Sequence, residues 1–66
     1  MNWPLKVRII EHFGKQWLFA RELGIDDSIV SRVINGAKDL PPEQQKRWAK
    51  AMRCQVADIF PDQPGQ

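Results

Sequence analysis

One cysteine, one histidine and no long apolar run leave several classes of protein without their materials. Cys54 stands alone, so no disulfide closes within the chain and no cysteine-rich zinc site can be assembled, which fits a reducing compartment. Neither Cys54 nor His12 belongs to a recognisable triad or ligand cluster. The expectation is therefore no enzyme, no metal and no cofactor, with His12 on the surface and Cys54 a partly buried structural thiol. No stretch approaches the ~18 apolar residues of a membrane span, and Met1 to Leu5 lacks the charged start and apolar run of a secretory signal. A soluble cytoplasmic protein with no membrane partner is expected. Excess charge is also scarce. The net charge is +2 and the pI about 9.0, which favours a polyanionic partner only weakly.

What is present is enough for one small core. Of the 66 residues, 42% are apolar, too many for a disordered chain. A domain of this size buries only about 60% of its unfolded surface, so oligomerisation is one common source of added stability. Trp3-Pro4 opens a first helix over Pro4 to Phe13, where Leu5, Ile9, Ile10 and Phe13 recur at helical spacing and Gly14 ends the run. A second helix spans Gln16 to Leu23, with Phe19, Ala20 and Leu23 on one side. Gly24 stops it. The run Asp26-Asp27-Ser28 supplies a cap for a third helix over Asp27 to Asn35, in which Val30, Val33 and Ile34 resume the three-and-four spacing. Asn35-Gly36 closes that helix, and Pro41-Pro42 with Glu43 opens a fourth through Trp48, Ala49 and Met52. Val56 to Phe60 forms a short fifth. Pro61 to Gln66 is expected to be a solvated tail behind a single domain over residues 1 to 60.

Two short helices joined by a glycine-containing turn make a helix-turn-helix, and Gln16 to Asn35 meets its packing demands. Ala20 is small where the helices cross. Gly24 occupies a position needing positive φ, which costs other residues about 1 kcal/mol or more. Ile25, Val30 and Val33 complete the small core between the helices.

With Ala20, Gly24, Ile25, Val30 and Val33 in register, the segment resembles the Cro and phage-repressor family of helix-turn-helix regulators, also called the xenobiotic-response-element family. The stretches Phe13-Gly14-Lys15-Gln16, Ala20-Arg21-Glu22-Leu23-Gly24-Ile25 and Val30-Ser31-Arg32 look like its Cro-like and YdaS-type antitoxin branches, and the likeness extends to Asp58-Ile59-Phe60. The resemblance implies an all-α, lambda-repressor-like bundle of five short helices, acting as a dimer on a DNA operator. Two features depart from the family pattern. Asp26-Asp27 puts two negative charges where relatives often carry Ser, Gln or Arg, and Trp17 with Leu18 is more apolar than usual, marking a partner surface.

If Val30, Val33 and Ile34 face inward, Asp27, Ser28, Ser31, Arg32 and Asn35 share the opposite face. Arg32 can donate two hydrogen bonds to guanine, Ser28 can bond to several base edges, and Asp27 can accept from cytosine N4. Asp27, Ser28, Ser31 and Arg32 are accordingly the candidate base-contacting residues. A solvated helix face is the alternative for the stripe, and a helix-dipole role is the alternative for Asp27. Lys15 and Gln16 before the stripe, and Asn35, Gly36 and Lys38 after it, are candidate phosphate contacts, with an ordinary loop lysine as the alternative for Lys38. Lys46, Arg47, Lys50 and Arg53 read as a solvated face of the fourth helix.

Two functions remain in view. One is a sequence-specific transcriptional regulator, more a repressor than an activator, bound to a palindromic operator as a homodimer at the nucleoid. The other is an antitoxin-like or adaptor protein that mainly holds another protein through Trp17 and Leu18. Arg53, Val56, Ile59 and Phe60 form the expected dimer interface, with capping of the monomer core as the alternative for Ile59 and Phe60. Pairing there would set two recognition helices about 34 Å apart, as half-sites one duplex turn apart require.

Overall fold

The computed structural model describes residues 1–61, and every regular element among them is a helix. In chain order these are α1 (Trp3–Phe13), α2 (Gln16–Leu23), α3 (Asp27–Ile34), α4 (Pro42–Ala51) and α5 (Val56–Ile59). The all-α bundle of five short helices is thus as expected, with ends that differ by a residue. α1 starts at Trp3 rather than Pro4, α3 stops at Ile34, α4 stops at Ala51 and α5 stops at Ile59. Apart from Pro61, which is exposed, the expected C-terminal tail lies outside the described residues.

The core is assembled from one side of each helix. Leu5 and Ile9 of α1, Phe19, Ala20 and Leu23 of α2, and Val30, Val33 and Ile34 of α3 meet Trp48, Ala49, Met52, Ile59 and Phe60 from the C-terminal half. A line of rings runs through it. Phe13 lies 5.2 Å from Phe19, Phe19 meets Trp48 edge-on at 5.2 Å, and Trp48 lies 6.3 Å from Phe60. Burial of side chains of this size contributes about 1.5–3 kcal/mol each, so these residues dominate the stability of so short a chain. Ile10 is an exception to the expected pattern. It sits 100° from Ile9 around the helix and is exposed, on the side where Trp3 and Val7 also lie open.

Polar side chains tie the elements together at three places. Asn2 caps α1 by accepting the Leu5 amide at 3.1 Å, while its Nδ2 donates to the Ile59 carbonyl and its backbone amide to the Ile34 carbonyl, both at 2.6 Å. One residue thereby joins the start of α1 to the ends of α3 and α5. Buried Gln45 donates to the Leu40 carbonyl at 2.9 Å and fixes the loop before α4. Arg47 donates to the Leu23 carbonyl at 3.1 Å, satisfying an acceptor at the end of α2 that the helix itself leaves open. Arg47 is therefore more than part of a solvated face.

Candidate nucleic-acid interface

The junction between α2 and α3 is three residues long, Gly24 to Asp26. Gly24 has φ +71°, and the Ile25 amide beyond it reaches back to the Ala20 carbonyl at 3.0 Å. This is the amide-to-carbonyl return that a left-handed residue makes possible at a helix end. A side chain at Gly24 would meet open space, so the preference for glycine there comes from the backbone angle alone. Ile25 is half-buried against the core, which fixes the direction in which α3 leaves.

Both ends of α3 are closed by local hydrogen bonds. Asp26 caps it, its Oδ1 accepting the Ser28 amide at 3.0 Å. Of the two adjacent acidic residues, Asp26 thus has a local structural role at the start of α3. At the other end the Ala37 and Lys38 amides both donate to the Arg32 carbonyl, at 2.9 and 3.3 Å, with Gly36 at φ +80° between helix and loop. The loop Asn35 to Lys38 is thereby folded back onto the end of α3.

With Val30, Val33 and Ile34 buried, Asp27, Ser28, Arg32 and Asn35 are exposed on the other side of α3 and Ser31 is half-buried. The five expected stripe residues therefore do share an outward face. Lys15, in extended backbone just ahead of α2, is exposed. Gln16, the first residue of α2, is half-buried, and its Nε2 donates to Asp27 Oδ1 at 3.1 Å. The starts of α2 and α3 are thus side by side, which brings together one candidate phosphate contact and one candidate base contact. Asn35, Gly36 and Lys38 lie past the opposite end of α3, so the expected phosphate-contacting residues bracket the helix instead of forming one patch. Gly36 and Lys38 also border a shallow groove of about 250 Å³ shared with Asn2, Leu40 and Phe60.

The expected dimer interface needs correction. Ile59 and Phe60 are buried within the monomer, Ile59 completely and Phe60 to 3% exposure, so the core-capping alternative is the one observed. Neither has apolar surface to offer a second copy. Val56 is half-buried against the same core. Arg53 is exposed and adopts φ +53° at the end of α4, where the next amide, that of Cys54, returns to the Ala49 carbonyl at 3.0 Å. That arrangement is a helix ending of the kind glycine usually supplies. The large apolar side chains that do stay open are Met1, Trp3, Val7, Ile10 and Trp17. Trp17 is half exposed under the Arg21 guanidinium, 5.5 Å from the ring centroid, whereas Leu18 is half-buried in a groove with His12, Phe13 and Glu22.

Sequence reasoning misses Asn2, Gln45 and Arg47, which position the site without belonging to it. For Asn2 a signal exists, an N-cap residue directly before Trp-Pro. Burial raises the thiol pKa of Cys54, with Arg8 pulling it down and Asp58 pushing it up, and the net direction is upward. Among the described residues no cluster of His, Cys, Asp or Glu is placed to hold a metal, and no helix is long and apolar enough to cross a membrane. Comparison with known protein families, curated proteins and solved structures finds no match to this chain.

Proposed function

We propose that the chain is a sequence-specific double-stranded DNA-binding regulator, a repressor of the Cro and phage-repressor kind, that lays α3 in the major groove. One observation carries this reading. α3 is held from behind by Val30, Val33 and Ile34 and closed at both ends, while Asp27, Ser28, Arg32 and Asn35 stay outside with hydrogen-bonding groups exposed. A helix of this width fits the major groove, where polar side chains can read base edges. The turn at Gly24 supports the reading further, because two short helices joined by a glycine-containing turn are what a helix-turn-helix requires. In this account Arg32 pairs with guanine, Ser28 and Ser31 approach neighbouring bases, and Lys15, Gln16, Asn35, Gly36 and Lys38 meet the phosphates on either side. No catalytic step is assigned. The regulator acts as a homodimer on a two-fold site at the nucleoid of the cytoplasm, pairing through a surface other than Ile59 and Phe60. Selection of bound duplexes from a random library tests the proposal. The expected product is one enriched site with two-fold symmetry; recovery of sequences no different from the starting pool overturns it.

A second reading, an antitoxin-like or adaptor role, is favoured by the half-exposed Trp17. It predicts a stoichiometric protein partner that co-purifies with the chain and is lost on Trp17→Glu. Purification of the chain alone by both wild type and variant speaks against it.

A further inference from the structure

Asp27 occupies an unusual place for a carboxylate, on the outward face of a helix proposed to approach a polyanion. Its neighbour already does the capping. Asp26 Oδ1 accepts the Ser28 amide, so the start of α3 does not need Asp27 for that purpose. Asp27 is instead held sideways by a side chain from another helix, since Gln16 Nε2 donates to its Oδ1 at 3.1 Å. Both residues lie at the edge where α2 and α3 begin.

From this bridge we infer that Asp27, held by Gln16, makes each half-site demand cytosine at the base pair facing the start of α3. The inference deepens the DNA-binding reading and rests on it. An ionised carboxylate is acceptor-only, and with one oxygen engaged by Gln16 the other is left to accept from the groove. Guanine and thymine present acceptors there, so they repel it. Only cytosine N4 and adenine N6 present donors. Adenine sets its N7 acceptor beside N6, which suits an amide that both donates and accepts and opposes a carboxylate. Cytosine N4 has an acceptor, the paired guanine O6, on one side only, whereas adenine N6 has acceptors on both, so cytosine meets the group with the least clash of lone pairs. The same negative charge is repelled by phosphates wherever no N4 donor compensates, so Asp27 weakens binding to random DNA while sharpening the choice of site. Gln16 adds to that choice by fixing the carboxylate before DNA arrives, which lowers the ordering cost of the contact.

The test combines library selection with titration of four duplexes that differ at the designated base pair, for wild type, Asp27→Asn and Gln16→Ala, each first checked for a parental melting curve. Wild type is expected to prefer cytosine over thymine by about tenfold at two symmetry-related positions. Asp27→Asn should move the preference from cytosine to adenine and bind random DNA more tightly than wild type. That pair of opposite changes is something a merely structural residue would not produce. Gln16→Ala should weaken the cytosine preference several-fold without strengthening random binding. A two-fold site whose preferred bases are unchanged in Asp27→Asn overturns this inference and leaves the DNA-binding reading standing. Loss of cognate and random binding together in Asp27→Asn also overturns it. A library from which wild type selects nothing overturns both.

Discussion

α1 and α3 each bury one side and expose the other, yet they leave opposite chemistries in water. α1 presents Trp3 at 60% exposure, Val7 at 51% and Ile10 at 46%, spaced four and three residues apart along one stripe, whereas α3 presents Asp27, Ser28, Arg32 and Asn35. An aliphatic and aromatic stripe gains by leaving water and has little to offer a hydrated phosphate backbone. A polar face can exchange its water for base edges at small cost. The two helices thus leave chemically opposite faces in water, a polar, hydrogen-bonding one on α3 and an apolar one on α1.

The largest expected effect divides the two faces directly. Arg32→Ala should weaken binding to the selected site by about 1–3 kcal/mol and relax one base preference, with an unchanged melting temperature. Trp3→Gln should leave the affinity of each chain for a half-site unchanged. Equal losses from both substitutions would abolish the distinction. Gly24→Ala comes next, with a stability loss of about 1 kcal/mol in denaturant unfolding, because the Cβ meets open space and only φ +71° opposes it. A parental midpoint would mean that the turn holding α3 is not strained. Smaller still are Lys15→Ala and Lys38→Ala, each expected to lower the slope of log affinity against log salt by roughly one phosphate's worth, on specific and random DNA alike. A constant slope would remove those lysines from the DNA backbone. The smallest effect is predicted away from both faces, where Arg53→Gly relieves φ +53° and should stabilise the fold by about 0.5 kcal/mol in denaturant unfolding.

The two faces are not equally legible in the sequence. α3 is eight residues long, enough for the positions of Val30, Val33 and Ile34 to define an inward side and hence the outward stripe. In α1 the adjacent pair Ile9-Ile10 satisfies the same apolar spacing either way, and only packing shows that Ile9 is buried and Ile10 open. α5 has four residues and no period to read. Whether Ile59 and Phe60 turn in or out depends on Trp48 and on the Asn2 bond to the Ile59 carbonyl, which spans 57 positions of sequence. Gly24 and Gly36 advertise their positive φ by residue type, while Arg53 adopts the same region without any such signal. Asp26 and Asp27 look alike in the sequence. Only the hydrogen bonds reveal that one caps α3 and the other faces Gln16.

The most direct test of the central claim is a titration of the isotopically labelled chain with its selected duplex, followed by backbone amide NMR shifts. The account predicts that the large shifts fall on Lys15, Gln16, Asp27 to Arg32 and Asn35 to Lys38, while the α4 amides from Glu43 to Lys50 barely move. Shifts centred on α4, or on the Trp3, Val7 and Ile10 stripe with α3 unperturbed, would contradict it.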